Sequence, residues 1–310
     1  MKNIIKYTFI IIFTILSNID LSSQVIYISE TGVRGTGILF RGFVDSIPKS
    51  NGVIIERSDS LDGSYFTLAK INFPNQPYTF TYIDYLANAN TDIFYYRLVA
   101  IDSLGNIDTI SNSMSNIRVD VETKSHEQNW VKWNKPVGFN GEIEHYVLYR
   151  SIGDNGMRII NDNIAPNDTI YVDRIGNIND AKMCYQVRAI EKNNTLQISE
   201  SFKPFVSRSN IQCEIQEPKI NLPNAFKPLS SVNENKTFGV KNRFIKSNNF
   251  NFAIWDRWGK MVFQTNNPNV EWDGYINGSL VPTGTYTYTL KYQSINGKVS
   301  DIKGIVTVIH

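Results

Sequence analysis

Three histidines, His126, His145 and His310, and two cysteines are the scarcest chemical groups in this 310-residue chain. A Ser–His–Asp hydrolase needs one of them beside a reactive serine. His126 sits in the polar run Thr123–Gln128, His145 opens an apolar run beside Glu144, and His310 is terminal. Neither internal histidine adjoins a Gly-x-Ser-x-Gly elbow, so both are read as solvated side chains. The two cysteines, Cys184 and Cys213, stand 29 positions apart, which fits neither a C-x-x-C redox pair nor a zinc pattern. In an oxidising compartment they are expected to close a loop worth about 3 kcal/mol; the plain alternative is two buried thiols. Carboxylate pairs such as Asp59 and Asp62 fall in turn vocabulary, where capping and solvation account for them. Glycoside hydrolysis needs two carboxylates across a cleft, an arrangement that spacing alone does not place. Walker loops, dinucleotide fingerprints and EF-hand spacings do not occur. No catalytic residue, metal ligand set or cofactor is therefore expected.

Composition narrows the classes further. With 31 basic and 29 acidic side chains, the net charge of +2 excludes a strongly basic nucleic-acid binder. A 12% aromatic content excludes a disordered chain. Residues 1–24 have the pattern of an export leader: Lys2 and Lys6, the apolar run Tyr7–Leu16, then small Ser22–Ser23. That run is about half the ~20 residues a membrane-spanning helix requires. The mature chain is thus expected to be exported, with no transmembrane helix.

The elements that must position any site are strands. Short apolar runs (Gly52–Glu56, Asp92–Ile101, Glu144–Tyr149, Met183–Ile190, Phe250–Trp255) alternate with Asn, Asp, Gly, Ser and Pro clusters. An internal repeat divides the first two thirds. Arg57–Ser58 recurs as Arg150–Ser151. Tyr82–Ile83–Asp84 recurs as Tyr171–Val172–Asp173, and Tyr96–Asp102 as Tyr185–Glu191, both at one offset of 89 residues (82 to 171, 96 to 185). That spacing suits a sandwich of about seven strands. In the second unit Trp130 and Trp133 are three apart, so in a strand they face opposite ways and only one enters the core. The Tyr-x-Val/Leu-x-Ala strand, with Trp133 and Pro136, resembles fibronectin type III-like domains over residues 25–118 and 119–217. The first unit carries Gly37–Gly42 where that tryptophan would stand. Tyr96 and Tyr185 are read as core residues.

The last third, residues 218–310, is expected to be a third sandwich, making the chain all-β with three consecutive immunoglobulin-like or fibronectin III-like antiparallel sandwiches. Asp256–Arg257–Trp258–Gly259 reads as a hairpin turn ending in glycine, and Tyr286, Tyr288, Leu290 and Tyr292 alternate along a strong strand. In order come Pro223–Asn224–Ala225–Phe226, Trp255–Gly259, Val262–Phe263, Trp272–Asp273–Gly274, Pro282-x-Gly284-x-Tyr286-x-Tyr288 and Gly304–Ile309. This series resembles the gliding motility-associated C-terminal domain, the type B sorting domain of the Bacteroidota type IX secretion system. Two segments depart from that family. Lys227–Asn235 replaces its Thr–Pro–Asn–Gly–Asp–Gly loop, and His310 replaces its basic last residue.

The resemblance implies an address recognised by the outer-membrane translocon, with delivery to the cell surface or medium. The expected product is a non-enzymatic surface protein whose sandwiches serve as adhesive or spacer modules toward surface polysaccharide or other surface proteins. Its alternatives are an accessory outer-membrane component of the secretion and gliding machinery and, from another class, a carbohydrate-active enzyme. A translocon could read an exposed edge of the terminal strand by strand addition. Trp272, Gly259 and Gly284 are expected to hold the fold rather than touch it. Asp–Ser/Thr–aliphatic triplets at Ser46, Ser60, Ser103, Thr109 and Thr169 resemble O-glycosylation sites of exported Bacteroidota proteins; the alternative is ordinary turn vocabulary.

Overall fold

A computed structural model describes residues 26–44, 52–72, 78–101, 104–125, 127–176, 180–192, 205–295 and 297–310. Residues 1–24, which the sequence suggests as an export leader, and Ser46, Ser103 and His126 lie outside the described residues. Among those described, regular structure is strand, apart from one 3-10 turn at Asn233–Asn235.

Alternating burial builds the first sandwich. Ile26–Arg34, Gly37–Val44 and Tyr78–Asp84 form one antiparallel sheet, with Gly37–Val44 central. Phe66–Asn72, Gly52–Ser58, Tyr95–Ile101 and Ile107–Ile110 form the facing sheet, and Met114–Ser115 continues along Tyr95–Ile101. The second sandwich repeats this order. Ile170–Arg174, Gln128–Trp133 and Val119–Ser125 oppose Arg158–Ile164, Glu142–Ile152, Lys182–Lys192 and Val206–Arg208, with Gln212–Ile215 along Lys182–Lys192. Both are immunoglobulin-like sandwiches with sheets of three and four principal strands. The two-residue period places the tryptophans as expected. Trp133 is buried edge-on to Tyr146, with ring centroids 5.4 Å apart, while Trp130 lies on the outer face under Lys124 and Lys132. In the first sandwich Phe40 fills the core of the matching strand, 5.3 Å from Tyr96 and 5.5 Å from Tyr82.

The third module is built on one five-stranded sheet in the order Ala225–Phe226, Val299–Val308, Gly284–Ser294, Ile245–Trp255 and Met261–Thr265. Its second layer is fragmentary. It consists of Lys219–Asn221 paired with Lys241–Arg243, a bridge between Phe238 and Trp272, and the short pair Tyr275–Ile276 with Ser279–Leu280. Phe226, Phe238, Phe252, Trp272, Leu290 and Val306 lie in the core between the layers. Among the described residues the terminal strand Val299–Val308 is paired on its outer side only at its end, at Thr307 and Val308, so the edge expected for strand addition stays open along Val299–Val306. Ala225–Phe226 runs parallel beside it, and Thr307 N and Ile309 N donate to Asn224 O (2.9 Å) and Phe226 O (3.1 Å). The Pro223–Phe226 segment therefore covers the end of that strand and satisfies its backbone.

The modules also share contacts. Tyr27 and Phe205 rings sit 6.0 Å apart, Thr31 N donates to Ser207 Oγ (3.0 Å), and Asn112 Nδ2 donates to Gly138 O (2.6 Å). Phe139 packs against both the first and the second core. Phe244, between the strands Lys241–Arg243 and Ile245–Trp255, belongs to the second sandwich's core cluster, with Ile295 packed against it.

Candidate functional site

The repeated residues of the first two units converge on one buried arrangement. In the first, Arg57 Nη1 and Tyr96 Oη donate to Asp84 Oδ2 at 2.6 and 3.0 Å. In the second, Arg150 Nη1 reaches both oxygens of Asp173 (2.8 and 2.7 Å) and Tyr185 Oη donates to Oδ2 at 2.7 Å. Burial chiefly, then the neighbouring carboxylate, pushes both tyrosine hydroxyls well above the ordinary phenol range, so they stay protonated donors. Each carboxylate is thus saturated by charge-assisted bonds inside a core, and the repeat has a structural purpose. A further repeat escaped the sequence reading. Ser111–Asn112 and Ser209–Asn210 act alike: the serine hydroxyls accept from Leu98 N and Val187 N at 2.8 and 2.9 Å. The asparagine amides clasp both backbone groups of Ile28 and Val119, respectively the third and the first residue of their sandwiches' opening strands. The repeated Ser–Asn dipeptide was the available signal.

Cys184 and Cys213 are directly opposed on paired antiparallel strands and form a disulfide. Of the glycosylation candidates within the described residues, Ser60 is exposed in a turn, while Thr109 and Thr169 are half-buried. Ser46 and Ser103 fall outside them. His145 lies on Glu142–Ile152, with Nδ1 3.6 Å from Glu144 Oε2.

The C-terminal motif residues gather at one end of the third module. Strands Ile245–Trp255 and Met261–Thr265 are joined by the tip Asp256–Lys260. Asp256 N donates to Lys260 O (2.9 Å), and Asp256 Oδ1 accepts from Trp258 N and Lys260 N at 2.9 Å each. Gly259 closes the tip at φ +81°, a conformation that would strain any other residue. Beside it is a recess of about 230 Å³ whose lining includes Arg257, Trp258, Val262, Ile276, Pro282 and Tyr286. Tyr286 Oη donates to Pro282 O at 2.9 Å, fixing the entry to the strand that Gly284 begins. Burial, then the charge of Asp256, raises the Tyr286 pKa, partly opposed by Arg257.

Beneath the recess, Trp272 is 1% exposed, 5.2 Å from Tyr286 and 5.3 Å from Phe226, and its Nε1 donates to Tyr275 O at 3.2 Å. Asp273 Oδ1 accepts from Tyr275 N (2.9 Å). Gly274 holds φ +80°, and a Cβ there would come within 2.4 Å of Pro228. Arg257 and Trp258 differ from the rest. Trp258 is 76% exposed, and the Arg257 guanidinium lies 4.2 Å over its ring. Lys260, also exposed and outside the anticipated set, adds a second cation to the tip. The arrangement offers aromatic, cationic and shallow apolar surface, which suits binding; among the described residues no cluster of three or more metal-ligating side chains occurs.

No curated protein matches the chain. A solved structure with 12% identity, a tetra-tandem repeat in the extending region of a large adhesion protein, covers 92% of this chain and 74% of its own, with a TM-score of 0.30. Residues 220–308, the segment that carries the tip, the recess and the partly covered terminal strand, match the CHU_C Type IX secretion signal domain, which marks the chain as type IX secretion cargo bound for the cell surface or the extracellular space.

Proposed function

We propose that this chain is a non-enzymatic surface protein, exported by type IX secretion and built as two sandwich modules (25–118 and 119–217) carried by a sorting module (218–310). The match of residues 220–308 to the secretion signal domain carries the reading. The translocon is then the partner of the sorting module, and surface polysaccharide or other surface proteins are the partners of the sandwiches. A spacer role is supported by the junction between the sandwiches. The tilted Tyr27 and Phe205 rings, a backbone hydrogen bond to Ser207 and the 3.8 Å Arg208–Glu30 ion pair join them edge to edge rather than through a bare linker. A recess of about 450 Å³ in the second sandwich offers one carboxylate, Glu142, and one of about 460 Å³ beside the sorting module offers two, Glu127 and Glu271, each ion-paired with a lysine, where glycoside hydrolysis uses two carboxylates across a cleft.

The test is fractionation of cells expressing the full chain, with and without a functional type IX translocon. Surface or medium localisation with the translocon and periplasmic accumulation without it is expected. Equal export in both strains would refute the reading. Retention in a stable outer-membrane complex with the translocon would instead indicate an accessory component of the machinery.

A further inference from the structure

The motif residues of the sorting module divide by what they do for the fold. Trp272 fills the core, Asp256 and Asp273 satisfy turn amides, Gly259 and Gly274 supply positive φ, and Tyr286 anchors Pro282. Arg257 and Trp258 have no such duty. Among the described residues neither side chain makes a hydrogen bond or ion pair, and their contact is with each other. An indole 76% exposed on a hairpin tip leaves most of its apolar surface in water. One such residue alone is unremarkable on a protein surface. Here it borders a recess with apolar walls from Val262, Ile276, Val281 and Pro282, and two exposed cations flank it.

We propose that the Asp256–Lys260 tip and its recess form the docking surface of the sorting module for the translocon, resting on the sorting reading above. The partner surface would be an apolar slot that admits the Trp258 indole, rimmed by carboxylates. Charge argues for the acidic rim: Asp256 spends its carboxylate on two backbone amides, while Arg257 and Lys260 project outward. Composition argues for a protein occupant, because tryptophan and arginine dominate the energetic centres of protein interfaces. A sugar is less well served. One face of the indole is already covered by the guanidinium, the tip protrudes rather than encloses, and its carboxylate is occupied. Truncating a central tryptophan in an interface is enough to lower occupancy at least tenfold below saturation.

The experiment uses the full chain in cells with an intact translocon, comparing wild type, Trp258→Ala and the charge-reversed Arg257→Glu/Lys260→Glu. The purified variants are checked for an unchanged thermal transition. Because all three side chains are exposed, the fold should persist. At least a tenfold fall in surface-exposed protein, with matching periplasmic accumulation, is expected for both variants. Wild-type export of either variant, in cells where the parent chain depends on the translocon, overturns this docking surface and leaves the sorting reading standing. Export of the parent chain without the translocon sinks the sorting reading itself. Should Trp258→Ala unfold, the charge-reversed variant decides. Wild-type export combined with lost retention on cell-surface polysaccharide would assign the tip to a sugar and overturn the proposal.

Discussion

Phe244 should stabilise a module to which it does not belong in sequence. Its side chain is buried in the core of the second sandwich, while its backbone joins two strands of the C-terminal module. It also holds φ +65°, where a bulky side chain costs about 1–2 kcal/mol. A fold that retains this strain must recover more from the buried ring. Removing a buried phenylalanine typically costs about 3–5 kcal/mol, and Phe244→Ala keeps the Cβ and hence the strain. The expected loss is therefore about 3 kcal/mol, felt by the cluster that includes Tyr146, Leu148, Tyr185 and Val187. Hydrogen exchange on the full chain reads this directly. Amides in Glu142–Ile152 and Lys182–Lys192 should exchange about a hundredfold faster in the variant, since 1.4 kcal/mol is a factor of ten. Phe244→Gly loses the same ring but relieves the positive φ, so it should be no less stable than Phe244→Ala, against the usual rank of the two residues. If those strands keep wild-type exchange while only the C-terminal sheet loosens, the coupling is wrong.

Other substitutions test the remaining structural claims. Asp173→Asn preserves shape but leaves the largely buried Arg150 without its counter-charge, and about 3 kcal/mol should be lost in denaturant unfolding of the second sandwich. Asp84→Asn should act alike in the first sandwich through Arg57, and a loss below 1 kcal/mol in either would contradict the shared role. Reducing Cys184–Cys213, or replacing both cysteines with serine, should cost about 3 kcal/mol through the loop it closes; unchanged unfolding would refute that. Glu271 carries the acid prediction. Burial alone would raise its pKa, but hydrogen bonds from Lys241 and Thr237 outweigh it and leave the pKa lowered. A lowered folded-state pKa gives stability that is full above the unfolded value and lost as pH falls through the folded one. The C-terminal module should therefore weaken as pH drops below about 4.5, the ordinary value for this group. Glu271→Gln should flatten that decline, and an identical acid profile would count against the assignment.

What could be read from residues alone follows from the range of the interactions. Strand periodicity is local, so the opposite faces of Trp130 and Trp133 and the alternating tyrosines of Gly284–Ser294 were legible without knowing any partner strand. The disulfide was legible only as a compartment argument, because opposition of Cys184 and Cys213 depends on register. The repeat revealed Arg57, Asp84 and Tyr96 as separate echoes of Arg150, Asp173 and Tyr185. Their meeting at one carboxylate needs three strands in place, and no spacing rule supplies that. The Ser–Asn pair was hidden for another reason: its copies stand at a different offset from the 89-residue repeat (112 to 210), which a single-period comparison misses. Phe244 had no signal at all, since a positive φ on phenylalanine violates the preference from which sequence reasoning starts.

The covering of the end of the terminal strand bears on where recognition resides. A strand added along the outer side of Val299–Val306 meets no neighbour, but one that reached Thr307–Val308 would have to displace Ala225–Phe226, breaking the bonds from Thr307 and Ile309 and exposing the Phe226 ring from its place beside Trp272. Burial of such a ring is worth about 2–3 kcal/mol, on top of two backbone hydrogen bonds at about 1 kcal/mol each. Side chains at the opposite sheet edge carry no comparable cost, because the tip Asp256–Lys260 already stands in solvent and needs no rearrangement to be bound. The same module can therefore keep the end of its last strand, Thr307–Val308, covered during transit and still present an address. Under this division, a change at Ala225 or Phe226 should lower the stability of the module before it lowers recognition. A change at Trp258 should lower recognition with the stability intact, and thermal unfolding measured beside export separates the two.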